Sequence, residues 1–324
     1  MTADEGVAVS LRSIKPAALR RGARLAVVSP ASTPKAEFVQ RGMERLRGLG
    51  YVPVLGQYAL VRGPLYYAGT VQERVSDLHT AFADPTIDGI VCTRGGWGSA
   101  ELLPYLDTEI INRNPKVFVG YSDHTSLHSW IQNVANLGTF YGPMVAADFA
   151  REDGVHEQSW RHCLGGTDQW SLGREDGIRI LQAGAVDGVL RGGCLSILAE
   201  TLGTPYSADV RDSVLFLEDI GTKPYQWDRM LLHLKYSGLL NTVRGIVFGD
   251  MQQCVAVDEE EYLERAILHT LRDFAGPIAI GLSCGHVNGA NITLPLGVQV
   301  RLDLNDAGNP RMEFLEAAVR GQAD

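Results

Sequence analysis

The sequence predicts an α/β protein: an N-terminal α/β domain built on a parallel sheet, and a β-rich α/β C-terminal domain. Three observations carry this. Short apolar runs such as "RLAVVSP", "DGIVCT" and "KVFVG" alternate with segments whose apolar residues recur at helical spacing. A polar stretch rich in glycine and tryptophan, "REDGVHEQSWRHCLGGTDQWSLGRED", interrupts that alternation at 151–176. The chain has 324 residues, which suits two domains at roughly 100–200 residues each. The expected division is 1–150, an inter-domain segment over 151–177, and 178–324.

The elements follow in order. "RLAVVSP" (24–30) reads as a buried strand, and Thr33-Pro34 offers a cap and a first-turn proline. Val39, Met43, Leu46 and Leu49 then share a helix face that Gly50 ends. "YVPVL" (51–55) reads as an edge strand because Pro53 has no N–H to donate. Thr70 and Glu73 form a capping-box pair opening a helix with Val71, Val75, Leu78 and Phe82 on one face. "DGIVCT" (88–93) runs into the glycine loop "RGGWG", and "KVFVG" runs into a serine, a short helix and "TFYGP". In the second unit the expected strands are "GVLRGG", "SVLFLE" (213–218), "RGIVFGD" (244–250), "PIAIG" (277–281) and "GVQVRLDL" (297–304). One helix follows Pro224 and ends at Gly238; another runs from about Asp258 to Phe274.

Composition narrows the function classes. Hydrophobic residues make up 45% and charged residues 21%, enough apolar material for real cores. The net charge of −9 argues against a nucleic-acid binder, which needs clustered lysine and arginine. No run approaches the ~18 apolar residues of a membrane span. The acidic opening "MTADEG" lacks the apolar stretch of a secretory leader. Five cysteines (Cys92, Cys163, Cys194, Cys254, Cys284) are odd in number and never form CxxC, which fits reduced thiols in a cytoplasmic protein.

In open parallel sheets, sites lie beyond the carboxyl ends of the strands. Three polar residues occupy such ends: Ser122 after "VFVGY", Glu218 closing "SVLFLE", and His286 just past "IAIGL". A serine, an imidazole and a carboxylate are the set that activates a hydroxyl. Each also has a plainer reading. Ser122 suits a helix cap, Glu218 a solvated strand end, and His286 a loop hydrogen-bonder. The context G-x-S-x-H is not the G-x-S-x-G of hydrolase elbows. With Ser122 as nucleophile, the N–H of Asp123 faces the developing oxyanion, and Gly96 in "RGGWG" offers the second donor. Trp97 and Tyr121 are the candidate substrate contacts. No Walker lysine and no G-x-G-x-x-G is present, which sets aside a phosphate loop. His124 and His128 share a helix face at metal-binding spacing, but HExxH is missing and packing is the preferred reading. No metal and no cofactor are expected.

Read together, "VSPAS", "TRGGWGSAELLPYLD", "FVGYSDHTSLH", "RGGCLSIL", "LGTPY", "LFLEDIGTKPYQWDRMLLHL", "GIVFGDMQQC" and "GHVNGANITLPLG" resemble, in that order, the LD-carboxypeptidase family of serine peptidases. That family holds muramoyltetrapeptide carboxypeptidases and microcin immunity peptidases. The resemblance spans roughly residues 24 to 304. It implies that the serine of "GYSD" falls on Ser122, the glutamate of "LED" on Glu218 and the histidine of "GH" on His286. It implies hydrolysis of a small peptide, releasing D-alanine from a murein tetrapeptide, with hydrolysis of an aminoacyl-nucleotide conjugate as the alternative. A homodimer is implied as well; nucleic-acid and membrane partners are not. The chain departs from the family pattern at Cys194, where "GGCL" replaces "GGNL", at Thr222 and Lys223 after "EDIG", and at Trp227.

Overall fold

The computed structural model describes residues 13–321. The reading of the extreme N-terminus as no leader lies outside the described residues.

The first sheet contains β1 (Arg24–Val28), β2 (Val52–Leu55), β3 (Gly89–Cys92), β4 (Val117–Gly120) and β5 (Thr139–Tyr141). These five run parallel, in the spatial order β5-β4-β3-β1-β2. Pro53 lies in β2, which is indeed the edge strand. The connecting helices are α1 (Ala36–Gly48), α2 (Val71–Ala83), α3 (Thr108–Arg113) and α4 (Thr125–Ala135). α2 opens with the expected Thr70–Glu73 capping box. α1 does not open at Thr33: it starts at Ala36 after an uncapped Lys35, and the Thr33 hydroxyl donates instead to the Tyr67 carbonyl at 2.6 Å. The threonine therefore ties two loops together. α1 still turns Val39 and Leu46 inward, as its periodicity requires.

Residues 151–177, read from the sequence as an inter-domain segment, carry regular structure. They form α5 (Glu157–Gly165) and β6 (Trp170–Leu172). Trp170 stacks on Phe314 with ring centroids 4.0 Å apart, and Trp160 is fully buried, so the tryptophans are packing residues of structured elements.

The second sheet adds β7 (Arg179–Gln182), β8 (Ala185–Cys194), β9 (Ser213–Glu218), β10 (Gly245–Gly249) and β11 (Ile278–Leu282). Interleaved with them are α6 (Leu195–Thr201), α7 (Pro224–Tyr236) and α8 (Glu260–Thr270). The chain closes with β12 (Leu294–Leu296), β13 (Gln299–Asp303) and β14 (Arg311–Phe314). The order is β6-β14-β13-β8-β9-β10-β11-β7, in which β8 to β11 are parallel and the flanking strands antiparallel. β12 leaves this unit altogether and pairs antiparallel with β5 at the edge of the first sheet.

One apolar core runs from the first sheet into the second, joining Val27, Phe118 and Phe140 to Leu190, Phe216 and Leu302. A second core lies under α6, α7 and α8, around Leu215, Leu217, Trp227, Phe248 and Ile267. At about 1.5–3 kcal/mol for each large apolar side chain removed from water, these cores dominate stability. They also fix the carboxyl ends of β4, β5, β9 and β11 relative to one another.

Candidate active site

The apolar run of β4 delivers Ser122 to the carboxyl edge of the first sheet. Between Val117 and Gln132 Ser122 is the only residue that is not buried. Its φ is +63°, a left-handed conformation. Such a backbone costs a non-glycine residue about 1–3 kcal/mol and persists only where its surroundings hold it. The serine caps nothing: the turn Ser122–His124 has no side-chain cap, and α4 begins only at Thr125. The Ser122 carbonyl accepts from the Thr125 hydroxyl at 2.7 Å, and the Ser122 N–H donates to the Tyr141 hydroxyl at 2.9 Å.

Glu218 closes β9 and is fully buried. An unpaired carboxylate there would be costly, and both of its oxygens are engaged. Oε2 accepts from His286 Nδ1 at 2.8 Å and from the His286 backbone N–H at 3.0 Å. Oε1 accepts from the Tyr141 hydroxyl at 2.5 Å. Burial alone would raise the Glu218 pKa, but the His286 cation and these hydrogen bonds outweigh it and hold the carboxyl below its ordinary value. Burial would likewise lower the His286 pKa, but the Glu218 carboxylate, then Asp219 and Asp148, outweigh it and raise the imidazole above its ordinary value.

His286 sits in the loop between β11 and β12. Arg151 grips that loop, donating to the carbonyls of Val287 at 3.3 Å, Asn288 at 3.0 Å and Gly289 at 3.1 Å. Arg151 is paired in turn with the buried Asp148 at 3.3 Å. Burial pushes the Asp148 carboxyl up to about 6. The Gly285 N–H donates to Asn291 Oδ1 at 3.0 Å, closing the loop from its other side.

The structure brings Glu218 and His286 into direct contact and ties Ser122 to them through Tyr141. Ser122 Oγ makes no direct hydrogen bond to His286 among the described residues. In the glycine loop, Gly95 backs onto the serine: a Cβ on it would lie 3.0 Å from Ser122 Oγ and 3.5 Å from the Asp123 nitrogen. Gly96 is turned so that its own Cβ direction meets Ser32 Oγ at 2.4 Å. Among the described residues neither the Gly96 N–H nor the Asp123 N–H donates a hydrogen bond. The Asp123 carboxylate is buried and accepts from the Ser99 N–H at 2.8 Å, so it braces the loop. Trp97 helps line a pocket of about 140 Å³ with Asp123, Ser126, Ile197, Glu200 and Tyr206. Tyr121 is buried edge-on to His286, with ring centroids 5.2 Å apart, and backs the imidazole.

His124 and His128 are buried among helix and strand. His128 Nε2 donates to the Gly120 carbonyl at 2.9 Å, and its Nδ1 accepts from the Thr139 hydroxyl at 2.8 Å. His124 Nδ1 donates to the Tyr121 carbonyl at 3.0 Å. Burial lowers their pKa values to about 4 and about 3, so both rings are neutral. The family departures are partly explained. Trp227 is buried against Phe248, and its indole N–H donates to Thr222 Oγ1 at 2.7 Å. The larger ring thus brings a polar atom that the neighbouring threonine satisfies. Cys194 ends β8 opposite Glu218, and its N–H donates to Thr125 Oγ1 at 2.9 Å, joining the second sheet to the start of α4.

Sequence reasoning missed Tyr141, Asp148, Arg151 and Asn291. For Tyr141 the signal was available: it ends a strand neighbouring β4, where site residues collect.

The model of the LD-carboxypeptidase N-terminal domain matches residues 25–142, and that of the C-terminal domain matches residues 187–302. Fold and matches together define a hydrolase of the serine carboxypeptidase class. The chain belongs to the LD-carboxypeptidase family. It is 36% identical over 296 residues to a Bacillus subtilis protein named "Probable murein peptide carboxypeptidase", covering 89% of this chain and 91% of that one. An MccF-like protein from Bacillus anthracis superposes with a TM-score of 0.87 at 26% identity, over 94% of this chain and 100% of that one. A muramoyltetrapeptide carboxypeptidase from Oxalobacter formigenes gives 0.79 at 27% identity, over 91% and 99%. Among the described residues, no helix is long and apolar enough to cross a membrane.

Proposed function

We propose that Ser122, His286 and Glu218 form the catalytic triad of an LD-carboxypeptidase that releases D-alanine from murein tetrapeptides. The observation that carries this reading is the double contact of Glu218 Oε2 with the backbone N–H and Nδ1 of His286. A carboxylate only accepts, so Nδ1 carries the proton and Nε2 is left as the basic nitrogen. In the reaction, Ser122 Oγ attacks the carbonyl carbon of the terminal amide as Nε2 takes the hydroxyl proton. The oxyanion faces the N–H groups of Asp123 and Gly96. Collapse breaks the C–N bond, and the imidazolium returns its proton to the departing amine. Water, deprotonated by His286, then cleaves the Ser122 ester. The relatives named for murein peptides support the substrate class, and buried free cysteines suit a reducing cytoplasm, where such peptides would be recycled.

The test is an assay of the purified protein on a murein tetrapeptide and, in parallel, on an aminoacyl sulfamoyl nucleotide. Stoichiometric D-alanine from the tetrapeptide is the expected result. Hydrolysis of the nucleotide conjugate alone would replace the murein reading with the immunity-type one.

The proposal also fixes a pH dependence. His286 must be neutral to act as base, and its pKa is raised. The rate constant kcat/KM on the tetrapeptide is expected to rise with pH along a limb whose midpoint lies above the ordinary imidazole value of about 6.5. The stability linkage has the opposite sense: His286 stabilises the fold fully below its unfolded pKa, and that contribution is lost as pH rises through the folded one. A pH–rate profile with its acidic limb centred below 6 would remove His286 from the role of base.

A further inference from the structure

Tyr141 ends β5, directly opposite Gly120 at the end of β4. Its ring is fully buried, wedged against Tyr121, His128 and Phe216 at centroid distances of 6.1, 5.6 and 5.6 Å. Its hydroxyl touches both halves of the site. It lies 2.9 Å from the Ser122 nitrogen and 2.5 Å from Glu218 Oε1. The direction of both bonds follows from the partners. An amide N–H only donates and a carboxylate only accepts, so the phenol accepts from Ser122 and gives its single proton to Glu218. Burial and the adjacent Glu218 carboxylate push the phenol pKa well above its ordinary value, which favours the protonated donor.

We propose that Tyr141 is a positioning residue that holds the nucleophile's backbone and sets the basicity of His286 through Glu218. The inference rests on the triad reading above and goes beyond it, because the three triad side chains need no fourth member to be named. Two effects meet in one oxygen. The bond from the Ser122 N–H helps hold the left-handed φ of +63° that presents Oγ at the strand end. The bond to Oε1 draws charge from the carboxylate and weakens its hold on the imidazolium, so His286 gives up its proton at lower pH than it otherwise would. The other groups facing His286 are Tyr121, Asp219 and Asp148, the last already paired with Arg151.

The experiment compares Tyr141→Phe with the wild type in two readouts. One is kcat and KM against pH on the tetrapeptide; the other is an NMR titration of the labelled His286 imidazole in the resting protein. Loss of the hydroxyl is expected to lower kcat roughly 10²-fold, the scale of a small misplacement of reacting groups, with KM changed by less than about threefold. The His286 titration and the acidic limb should both move up, by about 0.5–1 unit, roughly half of the ~1–2 units that a lost hydrogen bond to a charged group is worth, because the effect reaches the imidazole only through Glu218. A residue that only fills space would lower the thermal midpoint and leave both pH readouts in place; that result overturns the proposal. Site-specific 3-fluorotyrosine at position 141 keeps the shape and strengthens the donor, so it folds if Phe does not, and the titration should then move down. An unmoved titration in that protein also overturns the proposal. A wild type that releases no D-alanine would sink the peptidase reading instead, and the imidazole titration would still decide the role of Tyr141.

Discussion

Ser122→Ala is expected to abolish turnover and leave the fold intact. Loss of a nucleophile that works as a unit with its base costs on the order of 10⁶ in kcat in a serine protease, and the same scale is expected here. A serine that capped a helix would behave in the reverse manner, losing about 0.5–2 kcal/mol of stability and no activity. The structure gives Ser122 no capping bond, and alanine inherits the same left-handed backbone, so the stability change should stay within about 0.5 kcal/mol. Thermal midpoint and D-alanine release are measured on the same sample. A lowered midpoint with near-normal release would return Ser122 to a structural role.

Gly285→Ala is expected to damage both stability and catalysis. Gly285 has φ +90°, and an added Cβ would lie 2.4 Å from Glu218 Cδ and 2.7 Å from Oε2. The left-handed conformation costs an L side chain roughly 1–2 kcal/mol, and overpacking adds about 1–3 kcal/mol. Glu218 is fully buried and bonded through both oxygens, so it cannot move aside without releasing His286 or Tyr141. The expected outcome is destabilisation of about 2–5 kcal/mol, with kcat falling more than 10²-fold even well below the unfolding transition. Gly289→Ala is the control. It lies in the same loop with open space at its Cβ position, and should be near neutral in both measurements. Equal behaviour of the two variants would show that the close approach at Gly285 does not hold the carboxylate in place.

The parts of this architecture that were legible in the sequence are those with local causes. β1, β3, β4, β9 and β10 are apolar runs buried on both faces, and α2 and α7 announce themselves through a capping box and a first-turn proline. Glu218 and His286 stood at the ends of such runs, so they could be singled out before their contact was seen. The illegible parts depend on distant partners. β6 and β12 have three residues each, too few to show a period, and both exist because a strand elsewhere in the chain has an open edge. α5 hid in a polar stretch because only one of its faces is buried. Arg151 and Asp148 carried no pattern at all; their role arises from carbonyls more than a hundred residues away.

The pairing of β12 with β5 has a consequence for synthesis. On the ribosome the chain emerges from its N-terminus, and β5 leaves long before Leu294–Leu296, which trails Tyr141 by about 150 residues. At roughly 5–20 residues per second that interval is about 8–30 s, during which the newborn first sheet has an unpaired margin. The strand that covers it follows His286 by only a few positions. Covering the margin and delivering the imidazole are therefore nearly one event. If the proposed triad holds, a nascent or prematurely terminated chain would carry Ser122 without His286, and the capacity to cut peptides would arrive only with the finished fold.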